Sequence, residues 1–160
     1  MSGVQGAAPS GPPTIAVGSD HAGFNLKRTV LEHLWARFGE ANVLDLGPKS
    51  AARCDYPDYA LAVAEAVTDG RARFGVLICG TGIGISIAAN KVPGIRAALC
   101  HDVTTARMAR AHNDAQVLCL GARVVGEAVA LDALDAFVDG AFEGGRHGDR
   151  LAKIAALESR

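Results

Sequence analysis

One cysteine in this chain stands where a thiol can do chemistry. Cys79 ends an apolar run, Val76-Leu77-Ile78, and three glycines follow at alternate positions, Gly80, Gly82 and Gly84, before small apolar residues resume at Ile85. That order reads as a buried strand, a tight turn and a new helix. A turn so rich in glycine lets several backbone N–H groups converge, next to the positive end of the helix that follows. Such a nest suits a phosphate or an oxyanion formed during reaction. A thiol at its lip is of the kind that gives up its proton near neutral pH. Taken alone, a cysteine at a strand end more often packs than reacts. The rest of the chain must decide.

Other acid–base groups gather at strand ends. Asp20 and His21 follow the apolar run Ile15-Ala16-Val17, Thr81 accompanies Cys79, and His101 and Asp102 follow a fourth apolar run. Right-handed crossovers place the ends of parallel strands on one edge of a sheet, which is where ligands sit in open α/β folds. His112 and Asn113 instead close a helix, which puts them near the opposite edge of their own domain, so they reach the site only across a subunit boundary or not at all. His33 and His101 read as solvated or capping residues. Arg146 and Arg150 stand four apart at the start of the last helix and so share one face, and two guanidinium forks suit a phosphate ester. The bland alternative is a solvated face. Arg123, just past the fifth strand, can join them.

The elements that must position these residues alternate along the chain. Strands are expected at Thr14–Gly18, Val43–Leu46, Phe74–Cys79, Ile95–Leu99 and Gln116–Leu120. Helices are expected at Phe24–Phe38 with Leu31, Leu34, Trp35 and Phe38 inward, from Pro57 to about Asp69, after Gly84, at Val103–Ala111, from about Gly126 to Phe142, and from Arg146 onward. This predicts an α/β fold, a three-layer α/β/α Rossmann-like domain on a five-stranded parallel sheet. The last helix carries a narrow stripe, Leu151, Ile154 and Leu157, after a Gly-Gly break. A helix held by so little of its own domain is expected to dock on a partner subunit.

At 160 residues and a formal net charge of −1, the chain fits one domain, over residues 14–160, behind a loose arm at 1–13 rich in Gly, Ala, Pro and Ser. The arm lacks the basic start and apolar core of a signal peptide. The balanced charge gives no support for nucleic-acid binding, and no apolar run reaches the ~20 residues of a membrane helix. Four cysteines, Cys54, Cys79, Cys100 and Cys119, stand far apart without zinc-site spacing, which predicts reduced thiols in a cytoplasmic protein.

In register along the chain stand Gly18-Ser19-Asp20-His21-Ala22-Gly23, Asp55-Tyr56-Pro57, Ile78 through Ser86, Ala89-Asn90-Lys91, His112-Asn113-Asp114-Ala115 and Glu143-Gly144-Gly145-Arg146-His147. With these the chain closely resembles the ribose-5-phosphate isomerase B family, which also holds galactose-6-phosphate isomerase, from Ile15 to Glu158. The resemblance implies an aldose–ketose isomerase of sugar phosphates, with ribose 5-phosphate and ribulose 5-phosphate as its pair. It implies Cys79 as the general base between C2 and C1, and Thr81 with the N–H groups of Gly80, Gly82 and Gly84 around the enediolate oxygen. It implies His112 as the ring-opening acid/base with Asp20 assisting, Tyr56 along the sugar, and Asn113 steadying the enediolate from the partner subunit. His21, Arg123, Arg146 and Arg150 would clamp the phosphate. The site would lie between two subunits of a homodimer, which can pair further into a tetramer. No metal and no nicotinamide cofactor is expected, since an enediol shift needs a base, an acid and oxyanion support. One branch of the family carries a glutamate base later in the turn. Here that position is Ile85, so the chain resembles the cysteine-base branch.

Two other readings stay open. The preferred substrate can be allose 6-phosphate, galactose 6-phosphate or a tetrose phosphate, since pocket depth decides that. A non-catalytic sugar-phosphate or nucleotide binder would use the same sheet, although the first turn lacks the Gly-x-Gly-x-x-Gly spacing of a dinucleotide module.

Overall fold

The computed structural model describes residues 10–160, so positions 1–9 of the expected arm lie outside the described residues, and Ser10 to Pro13 run without helix or strand. Five parallel strands, β1 (Ile15–Ser19), β2 (Val43–Asp45), β3 (Phe74–Cys79), β4 (Ala97–Leu99) and β5 (Val117–Gly121), form one sheet in the order β2-β1-β3-β5-β4. Six α-helices accompany them: α1 (Phe24–Phe38), α2 (Tyr56–Thr68), α3 (Ile83–Ala89), α4 (Val103–Asn113), α5 (Glu127–Asp139) and α6 (Arg146–Leu157). The three-layer α/β/α arrangement expected from the alternation is what forms.

Alternate strand residues feed two cores, as the period of a strand requires. Ile15, Val17, Phe74, Val76, Ile78, Leu118 and Leu120 pack with α1, α4 and α5, while Ala16, Leu77, Cys79, Val117 and Cys119 pack with α2 and α3. The chain leaves β1 toward β2 and then returns to place β3 on the other side of β1. That reversal makes the crevice beyond β1 and β3 the topological switch point, the place where open α/β sheets bind ligands.

Three expectations shift. Strand β4 starts at Ala97 instead of Ile95, because side chains replace the ladder at its start: the Gln116 amide oxygen accepts from the Arg96 N–H at 2.8 Å and the Asn90 amide oxygen from the Ala97 N–H at 2.8 Å. Helix α5 stops at Asp139, where Gly140 passes against the Arg110 side chain. Trp35, expected inward, is 37% exposed. The buried stripe of α1 is Leu26, Lys27, Val30, Leu31 and Leu34, which puts Trp35 at its edge, where it lines a small cavity with Pro48 and Lys49.

Lys27 was not anticipated. Its side chain is 2% exposed, and its ammonium donates to Asp45 Oδ1 at 2.7 Å and to the Pro48 carbonyl at 2.8 Å. Asp45 also accepts from the Gly47 N–H at 3.0 Å. These bonds tie α1 to the start of the Gly47–Asp55 loop.

Candidate active site

The crevice at the switch point holds a cavity of about 230 Å³ lined by Asp20, His21, Tyr56, Cys79, Thr81 and Arg123, with Ala22, Gly80 and Gly84 completing its wall. The turns after β1, β3 and β5 meet there because their backbones are joined. Asp20 N–H donates to the Ile78 carbonyl, Ala122 N–H to the Cys79 carbonyl and Arg123 N–H to the Gly80 carbonyl, at 3.2, 2.9 and 2.9 Å. Each bond pins a strand end to its neighbour, so side chains far apart in sequence share one floor.

Cys79 is 4% exposed and accepts the Gly82 N–H on its sulfur at 3.1 Å. Gly82 was expected to face an oxyanion; the structure turns its N–H to the thiol. That turn requires glycine, since Gly82 has φ +77° and a Cβ there would sit 2.5 Å from Leu99 Cδ1 and 2.9 Å from the Leu120 carbonyl carbon. Thr81 Oγ1 accepts from the Ile83 N–H at 3.2 Å, which leaves its hydroxyl proton for another acceptor. Tyr56 lies flat enough on the turn that a Cβ at Gly84 would come within 2.6 Å of its ring. Ile85 is wholly buried beneath and offers no group for proton transfer.

The remaining wall is charged. Asp20 commits Oδ1 to the Gly23 N–H at 3.0 Å, so its other oxygen is the one left for a ligand. His21 Nδ1 lies 3.0 Å from the Cys54 carbonyl and 3.3 Å from the Cys54 N–H, so the Gly47–Asp55 loop orients its ring. Burial pushes Cys100 up to about 11 and raises Cys119 as well, and all four cysteines are free.

His112, Asn113, Arg146 and Arg150 stand elsewhere. His112 stacks on His147, with ring centroids 4.2 Å apart, and burial, then the facing His112 and the nearby Arg146 and Arg150, lower the His147 pKa against the opposing charge of Glu143. Asn113 borders a second cavity, about 570 Å³, between Ile95, Arg96 and the Ile154 and Leu157 side chains of α6. Arg96 holds that end of α4, donating from Nε to the Asn113 carbonyl and from Nη2 to the Asp114 carbonyl at 2.8 and 2.9 Å. The geometry thus divides the thirteen expected site residues into a cavity group and an opposite-edge group.

His33, read as solvated or capping, bonds Asp135 at 2.8 Å between α1 and α5, whereas Asp102, grouped with the acid–base residues at strand ends, caps α4 by accepting the Thr105 N–H at 2.7 Å. Strand β4 lies two strands from β3, so His101 and Asp102 never approach the cavity. Sequence reasoning assigned no role to Glu143 and His147. Their i,i+4 spacing beside Gly144-Gly145 was the available signal.

A model of the family described as Ribose/Galactose Isomerase matches residues 15–154. The Escherichia coli K12 protein ribose-5-phosphate isomerase B is 50% identical over 146 residues, which is 91% of this chain and 97% of that protein. The structure of Clostridium thermocellum ribose-5-phosphate isomerase B superposes with a TM-score of 0.89 at 53% identity, covering 91% of this chain and 97% of the other. The Mycoplasma genitalium ribose-5-phosphate isomerase B, solved with bound ribulose-5-phosphate, gives 0.86 at 44% identity over 92% and 97%. Joined strand ends, a cysteine on the cavity floor and relatives alike over nine-tenths of the sequence agree on one conclusion. The chain belongs to the Ribose/Galactose Isomerase family, as a sugar-phosphate isomerase of the ribose-5-phosphate isomerase B type.

Proposed function

We propose that the chain interconverts D-ribose 5-phosphate and D-ribulose 5-phosphate through a cis-enediolate, with Cys79 as the general base. The observation that carries this is the Cys79 sulfur on the floor of a cavity walled by His21 and Arg123, a base and two phosphate-binding groups in one crevice. The Cys79 thiolate takes the proton from C2 of the open aldose, leaving charge on O1. Thr81 and the N–H groups of Gly80 and Gly84 support that oxygen, while the Gly82 N–H holds the sulfur in place. The hydroxyl proton passes from O2 to O1, and the Cys79 thiol returns its proton to C1. Neither atoms nor electrons are left over.

His112, Asn113, Arg146 and Arg150 enter this site from a second subunit. Support comes from α6, whose apolar stripe lies open: Ile154 is 45% and Leu157 58% exposed. An uncovered stripe on a terminal helix is a natural docking surface for a second copy, and a twofold dimer supplies it symmetrically. His112 and Asp20 then open the furanose ring, and two arginines join His21 and Arg123 on the phosphate.

The deciding assay is turnover on ribose 5-phosphate beside allose, galactose and erythrose phosphates, with thermal shift for NAD and ATP. Ribose 5-phosphate is expected to be turned over most efficiently; a higher kcat/KM on another sugar would reassign the substrate. Ring opening gives a second expectation. Ribulose 5-phosphate has no free C5 hydroxyl to close a furanose, so it reaches the site open. A His112→Asn variant is therefore expected to lose about 10²-fold in kcat in the ribose-to-ribulose direction and far less in reverse, read by initial rates at saturating substrate from each side.

A further inference from the structure

Beyond the cavity, the described residues contain one set of three side chains able to share a metal ion: His112 at the end of α4, Glu143 between α5 and α6, and His147 in the first turn of α6. Glu143 Oε2 lies 3.8 Å from His112 Nε2 and 3.6 Å from His147 Nε2, and the ligand atoms of all three fall within 4.8 Å of one another. The segment is built to bring them together. Gly144 and Gly145 both take positive φ, and the Glu143 N–H donates to the Ala111 carbonyl at 2.9 Å, next to His112.

These gaps are too long for hydrogen bonds. They are slightly wider than the ~3.3 Å between two ligand atoms that each sit about 2.0–2.1 Å from a tetrahedral zinc ion. A set of two imidazoles and a carboxylate suits zinc, cobalt or nickel and does not suit magnesium or calcium. Metal binding needs neutral imidazole.

We propose that His112, Glu143 and His147 form an inhibitory site for a divalent transition-metal ion of the zinc type, which holds His112 away from proton transfer. The ion is no cofactor: the reaction proposed above does not use it. The inhibitory half of this inference rests on the ring-opening role given to His112 there. Binding requires one movement. The two rings are stacked with planes 10° apart, and parallel rings cannot both point their lone pairs at one ion. The His147 side chain is 9% exposed and stays put, whereas His112 at 39% and Glu143 at 61% are free to turn. Arg146 and Arg150 oppose a dication, and the Glu143 carboxylate beside both imidazoles offsets them.

The test uses the full chain with Zn²⁺ or Co²⁺ alone. Equilibrium dialysis is expected to find one zinc per chain, with Glu143→Gln and His147→Asn each weakening binding by about tenfold or more. Bound cobalt is expected to show visible ligand-field bands without a sulfur-to-metal charge-transfer band. Absence of saturable binding, or equal binding by both variants, overturns the site. So does a sulfur band that vanishes in Cys79→Ala. Relative to each protein's own metal-free rate at saturating substrate, zinc is expected to slow ribose 5-phosphate turnover in the wild type and spare Glu143→Gln, with the ribulose direction little affected. Bound zinc that slows both directions alike overturns inhibition through ring opening while the metal site stands. Absent binding removes the metal site and leaves the His112 assignment intact.

Discussion

Cys79→Ala is expected to lower kcat by about 10²–10⁴-fold, the range a positioned general base contributes, with sugar-phosphate binding almost unchanged. In the proposed reaction the sulfur touches C2 only in the reacting complex, whereas His21 and Arg123, which line the same cavity, would hold the phosphate. Loss should therefore appear in kcat and not in ligand-induced stabilisation. The small Cβ of alanine leaves the turn intact, because Gly82 is held by its surroundings as well as by the sulfur. Steady-state kinetics beside thermal shift with ribose 5-phosphate checks both halves, and a near-normal rate would end the base assignment. The same variant probes the shared site. Mixed with His112→Asn after dissociation and reassembly, it should recover about a quarter of wild-type activity, since half the dimers are hybrids and each hybrid carries one site free of both changes. No recovery on mixing would place His112 in the same site as its own Cys79.

Lys27→Met is expected to destabilise the chain by about 3–5 kcal/mol, the penalty for removing one partner of a buried ion pair. It strands the Asp45 carboxylate, 24% exposed, and the Pro48 carbonyl that the ammonium satisfies. Urea unfolding at neutral pH measures the loss. Its pH dependence is a separate signature. Burial pushes the Asp45 carboxyl up, but the Lys27 hydrogen bond, the Gly47 N–H and the charges of Lys27 and Lys49 more than offset it, so its pKa lies below the ordinary 3.8. A carboxyl depressed in the folded state stabilises fully above its unfolded value and loses that contribution as pH falls through the folded one. The gap between wild type and variant should narrow on acidification below about pH 4. A gap that stays constant would show that the lost stability comes from packing alone. Because Lys27 anchors the loop that orients His21, KM for the sugar phosphate is expected to rise as well.

The local grammar of the chain carried most of this. Apolar runs ending in Asp20, Cys79 and Arg123 announced parallel strands with functional groups at one edge, because strand burial and glycine turns are local properties. The helix bounds of α1 and the start of α6 were legible for the same reason, in the apolar spacing of α1 and the Gly-Gly break before α6. Periodicity misplaced Trp35, since a stripe of 3.6-residue repeat does not say which of two adjacent edge positions meets the sheet. It was also silent on Lys27, because a lysine is read as solvated until its buried partners are known.

What tertiary structure alone decided was adjacency. The order β2-β1-β3-β5-β4 makes β1 and β3 neighbours across the switch point, and no run of residues encodes that pairing. It brings Asp20 and His21 to Cys79, and carries His101 and Asp102 away. The turning of the Gly82 N–H toward sulfur and the meeting of His112 with Glu143 and His147 are likewise matters of distance between remote segments. Sequence sets the chemistry each segment can offer through short-range sterics and hydrophobic pattern. Which of those offers share a cavity depends on how the packed layers close, and that is a property of the whole fold.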